Sequence, residues 1–423
     1  MTGHGMALRR RGLLAGSMLA GAGLAAASGM PPVQATPRPG RLLDAAGFGA
    51  VGDGRTDDTE ALQRALQAAL DERRGCVLTI PPGTYRITSG LRIATAGKPD
   101  GNLTHGCTIR AHGARLQSAI HGSEPVLEIV GQAVVRYLTV EGLEIAGNGG
   151  EGDGLVVSCT KRGRYVYNFC LRDLIVENCG GDGCRLTGNV FEGQMFNCYF
   201  RGNRGNGATL AHGPEDTVLS AIHAFGCVFG NNGRHGVELR DGAADVGFQG
   251  CYFLLNGQFG LSAPNGCTLL SHCGFENNHV AVDGFSDGDA GIRLFVRGTL
   301  IGCTAYSIGH QTHLVRAYLT DDLVLVGCFG GGSGKARDAG LARLQGEGRG
   351  RAILVGTAGR IDDDGGVEIV DYARGEAPRF SANWNSPKLL TLGDHRLWID
   401  ADGRLRMKDG RPESDTDGRA VGT

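Results

Sequence analysis

The feature that most constrains this chain is a cysteine that returns at a nearly regular interval. Cys198, Cys227, Cys251, Cys273, Cys303 and Cys328 are separated by 29, 24, 22, 30 and 25 residues, and Cys170 extends the series upstream by 28. One small apolar side chain recurring every ~20–50 residues marks a solenoid. The interval is too long for a leucine-rich turn and has no helical period. It suits a coil of about three short strands stacked on the next coil.

A second element repeats in step. Asn178-Cys179-Gly180-Gly181-Asp182-Gly183 is followed by Asn203-Arg204-Gly205-Asn206-Gly207, then Asn232-Gly233-Arg234-His235-Gly236, then Asn256-Gly257-Gln258-Phe259-Gly260. Each unit reads as an Asn, a tight turn and a short alternating strand. Asn and Gly tolerate the left-handed backbone that such turns need. An Asn carries both donors and acceptors, so one per coil can also form a side-chain ladder along the stack.

Composition narrows the function classes. Glycine is abundant (73 of 423 residues) without a collagen-like triplet, as a turn-rich fold requires. Lys+Arg number 42 against 44 Asp+Glu, which gives no electrostatic case for nucleic acid. The 13 cysteines are odd in number and spaced one per coil, so they read as a buried column of small hydrophobes rather than disulfides. No second pair matches Cys179/Cys184 or Cys267/Cys273, so no metal site is expected.

The N-terminus, Arg9-Arg10-Arg11-Gly12-Leu13-Leu14 and an Ala/Gly/Leu run to Ala27, resembles a twin-arginine export signal. Cleavage after Ala27 or Ala35 would release a periplasmic or extracellular protein with no membrane association. That route carries proteins already folded, which suits a core of reduced thiols. The divisions expected are signal peptide and linker over 1–40, N-terminal cap and first coil over 41–95, coils over 96–350 and a β extension over 351–423. The last contains a hairpin from Leu389 to Met407 with an Asp-Gly turn.

Between 41 and 95 lies Phe48-Gly49-Ala50-Val51-Gly52-Asp53-Gly54-Arg55-Thr56-Asp57-Asp58-Thr59. A helix follows with Leu62, Ala65, Leu66, Ala69 and Leu70 on one stripe, then the turn Pro81-Pro82-Gly83-Thr84-Tyr85. This order resembles the start of the pectate-lyase-like right-handed parallel β-helix superfamily, the polygalacturonase-related or rhamnogalacturonase/epimerase-like group. With the coils, the resemblance covers about residues 41–330. It implies an all-β solenoid whose amphipathic helix caps the N-terminal edge, and polysaccharide chemistry in a groove along one face. Asp53, Asp57 and Asp58 tempt as an acidic cluster, but capping of the helix by Asp57 or Asp58 is the better reading.

Hydrolysis of a glycoside needs two carboxylates, whereas elimination needs a base and neutralisation of a uronate carboxyl. Asp153 and Asp182 precede strands on nearby coils, and His235, Glu238, Arg240 and Asp241 follow on a later one. Asp182-Gly183 and His235-Gly236 look like two of the three units of a polygalacturonase site. The coil between them offers Asn206-Gly207 where that family has paired aspartates. The expected catalytic set is Asp182, His235 and Glu238, then Asp153, Glu215 and Asp241. In a hydrolase Asp182 or Glu238 is the acid and the other the base. In a lyase His235 is the base and Arg240 the carboxylate clamp. His212, Arg185, Arg204, Arg234 and Arg240 are candidate substrate contacts, and Arg185, Arg201, Arg204, Arg234 and Arg240 favour an anionic polymer if they share a face.

These residues point to a secreted carbohydrate-active enzyme, a glycoside hydrolase or polysaccharide lyase. A sugar transferase or epimerase, and a non-catalytic tailspike-like glycan-binding shaft, are the alternatives. No cofactor is expected, save Ca²⁺ in the lyase case. Asp283, Asp287 and Asp289 crowd three carboxylates but lack EF-hand spacing, and read as an acidic turn. The partner is a polysaccharide or oligosaccharide. Trimers occur among proteins of this kind, which leaves a homotrimer open.

Overall fold

The computed structural model describes residues 40–72, 75–94, 106–213, 217–240, 242–264, 268–279, 290–307, 312–332, 339–372, 390–392, 395–400, 402, 404–409, 414 and 416–420. The leader, and with it the expected export signal, lies outside the described residues, as do Glu215, Asp241 and the Asp283–Asp289 turn.

Short strands wind into coils and every pairing within the large sheet is parallel, from each coil to the next. Cys184–Gly188 pairs with Ala208–Ala211, which pairs with Val237–Arg240, which pairs with Leu261–Ala263. The same succession holds for Val190–Phe196, Leu219–Phe225 and Val246–Gln249, and for Tyr199–Arg201, Val228–Gly230 and Tyr252–Leu254. Each coil therefore contributes one strand to each of three faces, at a rise of about 4.8 Å.

Alternation decides what enters the interior. In Val237–Arg240, Val237 and Leu239 point inward and Glu238 and Arg240 outward, although Glu238 is nearly covered by its neighbours. Inward residues at equivalent positions stack into columns. Phe200, Phe229, Phe253 and Phe275 form one, with ring centroids 5.3, 5.2 and 4.6 Å apart. Burying each such ring stabilises the fold by about 1.5–3 kcal/mol.

The cysteines from Cys198 to Cys328 form a second column, since their strand neighbours are in register throughout. All are buried and every described cysteine is free. Each follows a left-handed corner residue: Asn197, Gly226, Gly250, His272, Gly302 or Gly327. The corner turns the chain and the next side chain drops inward, where a small thiol fits. Cys170 does not belong to this column, contrary to the spacing argument. Tyr199 pairs with Ile175, so Leu174 is the residue above Cys198, while Cys170 pairs with Gln194 on another face.

A ladder of asparagines runs beside the thiols. Asn203 Nδ2 donates to Asn232 Oδ1 (3.0 Å), Asn232 to Asn256 (3.0 Å) and Asn256 to Asn278 (2.9 Å). Asn178 is not a rung: it holds the left-handed corner (φ 57°), and Cys179 occupies the ladder position behind it.

The helix Thr59–Asp71 buries the expected stripe of Leu62, Ala65, Leu66, Ala69 and Leu70. Asp57 accepts from the Thr59 N–H at 3.1 Å. Asp58 instead accepts from the Val51 and Gly52 N–H groups, and Asp53 holds its own turn through Arg55 and Thr56. All three carboxylates are thus used in local structure. Parallel pairing runs on to Val367–Asp371, past the expected end of the coils at residue 350. Beyond it, His395–Ile399 pairs antiparallel with Leu405–Asp409, within a four-stranded sheet.

Candidate functional site

The turn before each first-face strand presents one side chain per coil: Asp153, Asp182, Asn206, His235 and Phe259. Each of the first four accepts from the backbone N–H of its successor. Asp153 Oδ1 takes the Asp182 N–H (2.7 Å), Asp182 Oδ1 that of Asn206 (2.8 Å), Asn206 Oδ1 that of His235 (2.9 Å) and His235 Nδ1 that of Phe259 (3.2 Å). A buried N–H left without an acceptor costs about 1–3 kcal/mol, which explains why a polar residue recurs here.

The outward row of the adjoining strands supplies a second set, with Arg185, Thr209, Glu238, Ser262 and Arg293 in register on successive coils. The two sets interlock. Thr209 Oγ1 donates to Asp182 Oδ2 (2.7 Å), and Asn206 Nδ2 donates to Thr209 Oγ1 and Glu238 Oε2, both at 2.9 Å. Arg240 Nη2 donates to the same Glu238 oxygen at 2.5 Å. Arg185 grips Asp153 with both ends of its fork (2.7 and 3.1 Å) and reaches Asp182 at 3.3 Å.

The structure therefore brings Asp182, His235, Glu238, Asp153, Arg185 and Arg240 into one network. Arg204 and Arg234 sit exposed in the turns leading into it, and His212 follows the strand Ala208–Ala211. Arg201 lies on the third face, paired with Glu177, so the arginines do not share one surface. Asn206 and Thr209, which join the two carboxylates, were not expected as site residues, nor were Ser262 and Arg293. Their one signal was the Asn206-Gly207 step, at the same turn position as Asp182-Gly183 and His235-Gly236.

Electrostatics assign states to two of the groups. Burial depresses the His235 imidazole to about 4, so the ring is neutral at pH 7. With Nδ1 accepting a hydrogen bond, the ring proton resides on Nε2. The lone pair that an eliminating base would use is thus committed to the next coil. Burial alone would raise the Glu238 carboxyl, but the Arg240 hydrogen bond and charge and the Asn206 amide outweigh it. Glu238 is held below the usual carboxylate range, as an anion. Arg240, already paired with Glu238, is not an unengaged clamp for a substrate carboxylate. Every contact of Asp182 named above comes from a donor, so this carboxyl too is presented as an acceptor. Among the described residues no cluster of three His, Cys, Asp or Glu side chains is arranged to hold a metal ion.

Residues 44–121 match the family described as rhamnogalacturonase A/epimerase, pectate lyase-like; residues 128–305 match the right-handed beta helix region; residues 374–423 match capsule depolymerase. The fold is a right-handed parallel β-helix. A protein of Geobacillus virus E2 (ORF18) superposes with a TM-score of 0.61 at 18% identity, over 90% of this chain and 75% of that one. The enzymatically active domain of tailspike protein 2 from bacteriophage CBA120 gives 0.55 at 11% identity, over 86% and 60%. Likeness at this identity speaks for the fold. No curated protein sequence matches the chain significantly.

Proposed function

We propose that this chain acts on a polysaccharide laid along the first face, and that it cleaves by hydrolysis between Asp182 and Glu238. One observation carries the reading: two nearly buried carboxylates stand two coils apart on an outward surface, bridged by Asn206 and Thr209. Steps of 2.7, 2.9 and 2.9 Å through Thr209 Oγ1 and Asn206 Nδ2 join the two carboxylates, so they lie no farther apart than the roughly 6.5–9.5 Å that leaves room for a water in inverting glycosidases. Glu238, held ionised, is the base that activates the water. In this reading Asp182, across the bridge, takes the part of the acid. Hydrolysis is favoured over elimination because the His235 lone pair is engaged. The capsule-depolymerase match at the C-terminus and the enzymatically active tailspike domain among similar structures support a polysaccharide as the substrate.

The test is incubation with a polysaccharide panel, reading reducing ends and the absorbance of unsaturated uronates. Reducing ends without unsaturated products are expected, and D182N and E238Q are each expected to lower the rate by roughly 10²–10⁴-fold. Unsaturated products would replace hydrolysis by elimination.

A second reading, non-catalytic glycan binding, is favoured by the commitment of Asp153 and Asp182 to the turn ladder. Glycan binding with no product from any polymer in the panel would establish it. Export before function accords with either reading, since a core of free, buried thiols is compatible with folding in a reducing compartment. Burial pushes the Cys179 thiol up to about 12, which keeps it protonated and unreactive.

A further inference from the structure

The outward row does not stop at the candidate site. Beyond Ser262 it continues as Arg293, Arg316 and Arg343, one per coil and in register. Three guanidinium groups thus start from positions about 4.8 Å apart, a spacing at which like charges repel. Arg343 reaches Asp364 at 2.7 Å. Arg293 forms no ion pair with any carboxylate among the described residues. Its Nε and Nη2 donate to the Ser262 hydroxyl at 3.2 and 2.7 Å, and its guanidinium lies 5.0 Å from the Phe259 ring centroid. Glu238, two coils back, acts on it only through space, and burial, the larger effect, works against its charge.

Arg293, Arg316 and Arg343 open on a pocket of about 250 Å³ that Tyr318, Gln345 and Asp364 complete. Pockets for whole small-molecule ligands run to about 300–1,000 Å³, so this one suits a single ring or substituent of a longer chain. Guanidinium forks match planar or tetrahedral oxyanions. Gln345 adds an amide group to the wall, while the Tyr318 hydroxyl donates to Glu347 at 2.7 Å.

We infer that this pocket is a subsite for an anionic sugar residue, holding its acidic group between Arg293 and Arg316. The subsite lies on the same strand row as Glu238, two to four coils towards the C-terminus, so one extended glycan can occupy both. The acidic group bound at this end supplies binding energy remote from the reacting bond and sets which residue of the polymer faces Glu238. The inference rests on the polysaccharide reading above and names the charge of the substrate. It uses neither Asp182 nor Glu238.

The test measures binding of the full chain to polygalacturonate, alginate, hyaluronate and dextran sulfate, against neutral dextran and carboxyl-reduced polygalacturonate, at physiological salt. Wild type is compared with R316Q, which changes an exposed side chain, with R293K, and with R55Q as a distant control. At least one acidic polymer is expected to bind more tightly than the neutral ones. R316Q should weaken it roughly tenfold or more, R293K less because the charge survives without the fork, and R55Q not at all. A carboxylate source is indicated if the uronans bind, and a sulfate ester if only dextran sulfate does. Equal affinity for neutral polymers, full affinity in R316Q, or an equal loss in R55Q would overturn the subsite. Neutral polymers bound or cleaved while acidic ones are ignored would also remove it and leave the polysaccharide reading standing. Failure of every polymer to bind would remove both.

Discussion

Two files of side chains run along this solenoid a few residues apart, and they obey different rules. The asparagine ladder repeats one residue over Asn203, Asn232, Asn256 and Asn278. The turn file beside it varies in residue type, through Asp153, Asp182, Asn206, His235 and Phe259. The cause is the number of bonds each position must make. A ladder asparagine is fully buried and must donate to one neighbour while accepting from the other, a pairing that an amide side chain satisfies. A turn-file residue need only offer one acceptor to the next N–H. A carboxylate, an amide and an imidazole all meet that demand, so a position built for structure is free to carry chemistry.

The largest effect should come from breaking the uniform file. In N232A, Asn232 no longer donates to Asn256 and the Phe200 carbonyl, nor accepts from Asn203. Two or more buried polar groups lose partners at about 1–3 kcal/mol each, so a loss of roughly 4 kcal/mol is expected in denaturant unfolding. A loss below about 1 kcal/mol would mean that water or rearrangement replaces the ladder, and the contrast between the files would fail.

The next effect is a pH dependence that belongs to one rung of the variable file. His235 in the folded chain titrates near 4, below its ordinary 6.5, because burial disfavours the cation. The unfolded chain therefore binds the proton more readily. Stability is full above about pH 6.5 and falls as the pH drops towards 4, by roughly 3 kcal/mol from this ring. His313, also depressed by burial, adds a loss of the same sign. In H235N an amide oxygen can accept the Phe259 N–H as Asn206 does for His235. The variant should remain folded at pH 7 and lose less stability than wild type between pH 6.5 and 4.5. An unchanged acid slope would show that His235 is not buried in solution.

What could be read before the structure follows the same division. The thiol column was legible from spacing because a left-handed corner and a small inward residue recur together, as in Gly250-Cys251 and Gly302-Cys303. Cys170 misled because coil length varies, and only register shows Leu174 above Cys198. The asparagine ladder was legible but one residue out at its start, since Asn178 serves the corner instead of the stack. Asp182 and His235 stood out by residue type and by their Gly-flanked turns, and Glu238 by residue type. The bridge through Asn206 and Thr209 did not, because Asn206 marked a departure from a known site pattern and Thr209 looked like any strand residue. Nothing in a linear sequence says that a turn side chain serves the backbone of the following coil.

The smallest expected effect on stability separates the two duties of the variable file. Asp182 accepts from the Asn206 N–H through Oδ1 and from Thr209 through Oδ2. D182N keeps an oxygen for the backbone, so its thermal midpoint should fall by no more than about 1 kcal/mol allows, although the amide now faces the Thr209 hydroxyl and Arg185. D182A leaves the Asn206 N–H and the Thr209 hydroxyl without their acceptor and should cost about 2–3 kcal/mol. If Asp182 is also the acid, D182N loses activity out of proportion to stability, and binding of the glycan survives. If D182N is as unstable as D182A, the position needs the charge beside Arg185 for folding. The rule that any acceptor serves this file would then be wrong at the rung where chemistry is proposed.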